Sequence, residues 1–324
     1  MPKVDRNKPR RSTASESRYT VFEFEQEFPD DAACLEWLKN YRYPDGIYCP
    51  KCGRVTKHHR EKKRPSYSCQ FCGHRVHPMK GTIFENSATS LKLWFYAIYL
   101  MASTRCGISA KQLERELGVT YKTAWRMFKQ IRTLLTQDGE ERWFGTVELD
   151  EAYFGGRSQW KHRKRVPAQG RPAPGRTDRP PVFGMAKRPR QEKGETHGRV
   201  WAKAVDAVDM ATIEPAVKKR ILHGSRVLTD EYKSYDSMPY MGYRHDRVRH
   251  SDRVYVSGDV HVQTIEGFWS LVKRGISGVY HGVGSDYLQS YLDEYVFRYN
   301  NRAADGRGMF NAFLGRISPA EPLV

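Results

Sequence analysis

Three carboxylates stand out by their position in the sequence. Asp150 ends the apolar run Thr146 to Leu149, Asp230 ends Ser225 to Thr229, and Glu266 falls in the first turn of a helix-patterned stretch, TIEGFWSLVKR. Carboxylates gathered at strand ends repel one another and stay protonated unless divalent cations occupy the space between them. Hard oxygen donors of this kind suit Mg2+ or Mn2+. Two such ions about 3.5–4 Å apart clamp the attacking and leaving oxygens of an in-line phosphodiester displacement, so the chemistry to expect is polynucleotidyl transfer. Lys273 lies seven residues after Glu266, two helical turns or about 10 Å along the same face, where its ammonium can hold a neighbouring phosphate. Glu148, Glu151 and Glu231 sit close enough to be mistaken for ligands, and alternation does not separate Glu148 from Asp150, which point to the same side of a strand.

A second group of residues has metal-ligand spacing. Four of the six cysteines form two pairs, Cys49-Pro-Lys-Cys52-Gly and Cys69-Gln-Phe-Cys72-Gly, with sixteen residues between them. Two residues between thiolates let one tight turn place both sulfurs on a tetrahedral ion, and the glycine after each pair admits the left-handed backbone of such a turn. This is zinc-ribbon spacing. Four sulfurs close the coordination sphere, so the Zn2+ is expected to hold structure and do no chemistry. Disulfides or a thioredoxin-like redox pair are the rivals; an unsecreted chain argues against the first and two matched pairs against the second. Cys34 and Cys106 have no partner at ligand spacing and read as small buried residues. His58, His59, His74 and His77 read as surface residues of a basic hairpin, KHHREKKRPSYS, although each could substitute as a ligand.

The elements that must position these groups follow from periodicity. Residues 19–43 carry Phe22, Phe24, Phe28, Ala33, Leu35, Trp37 and Leu38, the apolar side of a short helix beside the ribbon. Leu91 to Ser103 is apolar nearly all round and reads as a buried helix. It leads into GISAKQLERELGVTYKTAWRMFKQIRTLL, which reads as a helix-turn-helix. Ser109 and Gln112 form a capping box, Gly118 ends the first helix and Thr120 caps the second. The second helix should bury Ala124, Trp125, Phe128, Ile131 and Leu135 and turn Lys122, Arg126, Lys129 and Arg132 outward toward a DNA groove or backbone. Two antiparallel core helices with solvated lysines would give a similar pattern. From Gly145 the texture changes to short β-rich runs, TVELDEAYF, PVFGMAK, RVWAKAVDAV and SRVLTDEY, with a helix near Ile213 to Ile221. Two helices follow, Thr264 to Arg274 and Asp286 to Tyr299, the first burying Ile265, Phe268, Leu271 and Val272. Arg157 to Pro180 holds eight Lys or Arg, one Asp and four Pro, and is expected to be a mobile basic loop. Residues 1–18 have almost nothing apolar to offset ordering entropy, so a disordered tail is expected there.

Composition bounds the partners. The 324 residues carry 55 Lys plus Arg against 37 Asp plus Glu, a formal charge of +18, which points to a polyanion such as double-stranded DNA. Acidic membrane lipid is the alternative. The longest apolar run, Leu93 to Ala102, is ten residues, about half of a spanning helix, so an integral membrane protein is excluded. The start MPKVDRNKPRRSTASESR has no apolar core, so a cytoplasmic, nucleoid-associated protein is expected.

From Tyr48 to Arg302 the chain resembles the DDE-class insertion-sequence transposases of the zinc-ribbon group related to the Merlin elements (ISXO2-like). The motifs that carry the likeness are, in order, YCPKCG, YSCQFCGHR, KGTIFENS, the Ser109 to Leu135 stretch, VELDEAYFGG, VLTDEYKSY, HVQTIEGFWSLVKRGISGVYH and YLDEYVFRYNNR. The resemblance implies an α+β multidomain chain: a basic tail over 1–18, an N-terminal helix and zinc ribbon over 19–85, a helical helix-turn-helix region over 86–140, an RNase H-like catalytic domain over 141–305 with a basic insertion at 157–180, and a C-terminal tail over 306–324. It further implies that Asp150, Asp230 and Glu266 bind catalytic Mg2+ or Mn2+. The thirty-five residues between Asp230 and Glu266, and the Lys273 that follows, match the wider class pattern. The implied activity is hydrolysis at element ends, freeing a 3′-hydroxyl that attacks target DNA, by a homo-oligomer, dimer or higher, that holds two ends together. A DNA-binding regulator without catalysis is the alternative from another class, and an RNase H-like nuclease acting on RNA–DNA hybrids is a third.

Overall fold

The computed structural model describes residues 19–136, 141–154, 180–248 and 260–317. The expected basic tail over 1–18 and the insertion up to residue 179 lie outside the described residues. The described chain falls into two compact units: residues 19–104, 110–134 and 304–317 in the first, and residues 105–109 together with 135–303 in the second. Among the described residues no helix is long and apolar enough to cross a membrane.

The first unit begins with two helices where one was expected, α1 (Val21–Glu27) and α2 (Asp31–Arg42). The missed signal is a capping box: Thr20 caps the Glu23 amide while the Glu23 carboxylate takes the Thr20 amide at 2.7 Å. Asp30 then caps α2, accepting from the Ala33 amide at 2.8 Å. Phe24 and Phe28 are buried, whereas Phe22 is 77% exposed and is not a core residue. The ribbon follows as β1 (Tyr48–Cys49), β2 (Arg54–Val55), β3 (His58–Arg60), β4 (Tyr67–Cys69) and β5 (Arg75–Val76), paired β1-β2 and β3-β4-β5, all antiparallel. Next come α3 (Leu91–Ser103), α4 (Ala110–Leu117) and α5 (Tyr121–Thr133). Gly118 takes a left-handed φ of +63° at the turn, and Thr120 caps α5 as the sequence indicates. Residues from 306 onward were expected to be a tail. They instead form α9 (Gly306–Leu314), capped by Asp305, whose Phe310 stacks on Tyr19 and meets Phe24, Phe28 and Tyr99 edge-on.

The second unit is a five-stranded sheet built from β6 (Thr146–Tyr153), β7 (Pro181–Lys187), β8 (Arg199–Ala204), β9 (Arg226–Thr229) and β10 (Arg244–Arg247), in the order β10-β9-β6-β7-β8. The first three strands form an antiparallel meander, and β9 and β10 add in parallel on the other side of β6. That is the RNase H-like arrangement the resemblance implies. Helix α6 (Met210–Arg220) connects β8 to β9, and α7 (Gln263–Gly278) and α8 (Ser285–Asn300) close the unit.

Alternation on the strands makes two cores. Val147, Leu149, Phe183, Met185 and Val227 pack with Ile213 and Val217 of α6. Ala152, Val182, Ala186 and Val200 pack with Ile265, Phe268, Trp269 and Val272 of α7 and with Leu288 and Leu292 of α8. Leu271 is 42% exposed and Trp269 is buried in its place, because position 269 falls one turn after Ile265 on the sheet-facing stripe. Strand β8 is an edge. Asn300 covers it, accepting the Val200 amide at 2.8 Å and donating to the Val200 carbonyl at 2.9 Å, while Gln289 accepts the Ala204 amide at 2.8 Å.

Candidate functional site

In the first unit the two Cys-x-x-Cys-Gly turns are near copies of one another. Gly53 and Gly73 both sit at φ +66°, and their amides donate to the Cys49 and Cys69 carbonyls, each at 2.9 Å. These turns bring the ligand atoms of Cys49, Cys52, Cys69 and Cys72 within 4.8 Å of one another. Tetrahedral zinc with bonds of about 2.3 Å requires sulfurs about 3.8 Å apart; here Cys49 and Cys72 are 3.4 Å apart and Cys52 and Cys69 are 3.8 Å apart. The electrostatics ask for a cation as well. The Thr56 hydroxyl and the Cys72 and Phe71 amides hold the Cys69 thiol down to about 5, whereas hydrogen bonding to Cys72 and burial push Cys52 up to about 12. Four thiolates cannot coexist there without a metal. Cys34 is buried as expected, but Cys106 is exposed.

On α5, Lys122, Arg126 and Lys129 are exposed, and Ala124, Met127, Phe128 and Ile131 are buried, as is Leu135 beyond the helix end. Arg132, expected to face outward, is 1% exposed and lays its guanidinium on the Phe128 ring at 3.7 Å. A residue four positions after a core phenylalanine lies over the same stripe, and the apolar stem of arginine packs there. Trp125, expected to be buried, is half-exposed.

In the second unit, β6 pairs with β9 in parallel, Glu148 opposite Leu228. Two residues further along the same register, Asp150 and Asp230 come side by side. They and Glu151 bring their ligand atoms within 4.8 Å of one another. Each carboxylate is held from a different direction. Trp269 Nε1 donates to Asp150 Oδ2 at 3.0 Å, the Tyr235 hydroxyl donates to Glu151 Oε2 at 2.8 Å, and the Tyr232 amide donates to Asp230 Oδ1 at 3.0 Å. The indole reaches Asp150 because residue 184, its partner on β7, is glycine: a Cβ there would lie 2.3 Å from Trp269 Cζ2.

Burial, then the charges of Glu151 and Asp230, push the Asp150 carboxyl up to about 7; burial also raises Glu151, opposed by the Tyr235 hydroxyl. Hard oxygen donors whose negative charge exceeds the positive charge around them are the surroundings a divalent ion fits. Glu266 lies in the first turn of α7, exposed, outside this cluster, and Lys273 is exposed two turns later on the same face. Glu148 takes a different course from Asp150 on the same strand face: it is wholly buried and accepts from Arg188 Nε at 2.6 Å and from the Thr264 and Ile265 amides at 2.8 and 3.0 Å. Trp269, Tyr235 and Arg188 could not be read from sequence as partners of these acids, since each is distant in the chain. Gly184 amid apolar strand residues was the one local hint of close approach.

Comparison with known proteins bears on both units. Residues 29–75 match the transposase zinc-ribbon domain family, and residues 143–300 match the ISXO2-like transposase domain family of the DDE group. An uncharacterized protein in transposable element ISH50 of Halobacterium salinarum is 31% identical over 279 residues, 84% of this chain and 91% of that protein. An uncharacterized transposase-like protein of Haemophilus influenzae is 28% identical over 103 residues, 32% of this chain and 82% of that protein. Among solved structures, a pre-cleavage Mos1 transpososome aligns with 65% of this chain and 75% of that chain at 14% identity and a TM-score of 0.20, a likeness too slight to carry an argument. Because the relative from Halobacterium is matched along nearly its whole length, through ribbon and sheet alike, this chain belongs to the ISXO2-like transposase family.

Proposed function

We propose that this transposase cuts the DNA ends of its element and joins the freed 3′-hydroxyls to target DNA, with Asp150, Asp230 and Glu266 as the carboxylates that hold Mg2+ or Mn2+. The observation that carries the reading is the meeting of Asp150 and Asp230 at adjacent parallel strands inside the domain the family matches. Divalent ions bound there supply Lewis-acid stabilisation of the attacking and leaving oxygens of the phosphodiester. The chain's own part is orientation. Trp269 fixes one Asp150 oxygen and Tyr235 fixes one Glu151 oxygen, which orients both carboxylates.

Glu151 already stands in the cluster, so it is the rival of Glu266 for the third carboxylate, and the two are separated by Glu151→Gln and Glu266→Gln. Lys273 contacts a phosphate next to the reacting one. Lys122, Arg126 and Lys129 grip double-stranded DNA, and Zn2+ on Cys49, Cys52, Cys69 and Cys72 holds the ribbon in shape. Two ends held at once require a homo-oligomer.

The test is a nicking and joining assay with a labelled duplex carrying the element's end and Mg2+. Asp150→Asn and Asp230→Asn should each lower product formation about 10³-fold, the rate equivalent of several kcal/mol of lost charge stabilisation, while end binding stays within about twofold. Equal activity in the variants defeats the assignment. Cleavage of RNA–DNA hybrids without any joining product would replace it with a nuclease.

A further inference from the structure

Glu148 has no part in the chemistry above, yet it is 0% exposed and takes four hydrogen bonds from two other segments. Arg188, just past β7, donates Nε at 2.6 Å. The other three come from the first turn of α7: the Thr264 amide and hydroxyl at 2.8 Å each and the Ile265 amide at 3.0 Å. Arg188 also donates to the His261 carbonyl at 2.8 Å, tying down the residues that lead into the helix. The first amides of a helix have no partner within it and are usually met by a local Ser, Thr, Asp or Asn. Here the N-cap position is Val262, which has nothing to offer. A strand supplies the cap instead, and a carboxylate at a helix N-terminus is also favoured by the helix dipole.

The spacing gives the contact a second meaning. Trp269, four residues after Ile265, donates to Asp150, two residues after Glu148. Four helical residues rise about 6 Å and two strand residues about 6.7 Å. Helix and strand therefore match step for step, with two fixed points on each. Glu266 lies between the two fixed points of α7.

We propose that Glu148 is a positioning residue: a cap contributed by β6 that sets the register of α7, and through it the seat of Trp269 on Asp150 and the setting of Glu266 in the first turn of the same helix. This rests on Asp150 belonging to the reacting site. The competing account is a buried ion pair with Arg188 that only holds the fold. Glu294, buried and paired with Arg298 at 2.7 Å in the same unit, is a control of that kind.

The experiment labels the protein's seven tryptophans with 5-fluorotryptophan and follows the 19F resonance of Trp269, assigned by its loss in Trp269→Phe. Glu148→Gln keeps the volume but loses the charge and one acceptor oxygen. It should move the Trp269 resonance and lower end nicking about 10–100-fold, the usual cost of removing a partner that orients a ligand, with end binding within about twofold. Thr264→Val, which removes only the hydroxyl contact, should move the resonance less and cost a few-fold at most. Glu294→Gln should lower the melting temperature and leave the Trp269 resonance in place. An unmoved resonance in folded Glu148→Gln overturns the proposal, whatever the variant's nicking rate. If that variant does not fold, an unmoved resonance in Thr264→Val overturns it. The resonance needs neither DNA nor metal, so it decides the role of Glu148 even if the wild-type protein nicks nothing and the transfer chemistry is wrong.

Discussion

Replacing Asp150 by Asn should make the metal-free protein more stable, and only at neutral to alkaline pH. Burial and the charges of Glu151 and Asp230 move the Asp150 carboxyl from its ordinary 3.8 to about 7. Below about pH 4 the folded and unfolded chains both keep this proton and no stability is lost. Between about 4 and 7 the folded chain holds a proton that the unfolded chain has released, so each pH unit removes about 1.4 kcal/mol; above about 7 both are ionised and the penalty is complete. A shift of about three units sets an upper limit of about 4 kcal/mol. Asp150 is partly exposed, and solvent screening halves this to about 2 kcal/mol. Asn keeps an oxygen for the Trp269 indole and drops the charge. In buffer free of added divalent ions, but without a chelator that would strip the ribbon, Asp150→Asn should melt about 4–8 °C above wild type at pH 8, given a unit of this size, and the gain should vanish toward pH 4. Adding Mg2+ at pH 8 should close the gap by stabilising wild type alone, by about 2.7 kcal/mol at a hundred times its dissociation constant. Scanning calorimetry at the two pH values is the assay. A gain of equal size at both, or none at pH 8, refutes the account of Asp150 as a carboxylate short of positive charge.

Gly184→Ala should cost about 1–3 kcal/mol, because the new Cβ would lie 2.3 and 2.5 Å from ring atoms of buried Trp269; urea unfolding measures it, and a neutral result would mean that α7 rides freely over the sheet. Metal analysis should find one zinc per chain, and Cys69→Ser or chelation should unfold the ribbon by removing about 10–16 kcal/mol of binding free energy, leaving a separate calorimetric transition for the sheet unit; a chelated protein with an unchanged first transition contradicts this. Lys122→Ala with Lys129→Ala should lower the salt slope of DNA binding by about 2, at about 0.9 per phosphate contact, with no change in melting temperature. Arg132→Ala should do the reverse, leaving the slope intact and costing stability through its lost packing on Phe128. A fall in slope for Arg132→Ala would return that residue to the DNA-facing side.

What the sequence made legible was local. The cysteine knuckles, the Gly118 and Thr120 punctuation of the helix pair, four of the five sheet strands and most of the apolar stripe of α7 each depend on neighbours within a few residues, where spacing has direct geometric meaning. Errors came where a pattern had to be resolved to one residue in a crowded stripe. Trp125 and Arg132, seven residues apart and so within about 20° on the same side of α5, were assigned to opposite sides and came out reversed, and Leu271 was counted as buried but is exposed, because the packing partner decides which position is covered. The return of α9 to the first unit was hidden for another reason: Phe310, Phe313 and Leu314 are too few in a short segment to signal a helix without the aromatic cluster that receives them.

Glu148 and Asp150 show why the remaining ambiguity could not be settled from the chain alone. Both are carboxylates, two residues apart, on one face of one strand. Their difference comes from residues forty to one hundred and nineteen positions away. Around Glu148 the fold gathers a guanidinium, two amides and a hydroxyl, so both oxygens are committed and no cation could displace their donors without uncapping a helix. Around Asp150 it gathers one indole, the Glu151 amide and two further carboxylates, with no guanidinium or ammonium among them, so negative charge outweighs positive. A divalent ion gains most where ionised oxygens are close and unsatisfied. The ranking of acids along β6 as holder or ligand therefore follows from what each one lacks once the chain has folded.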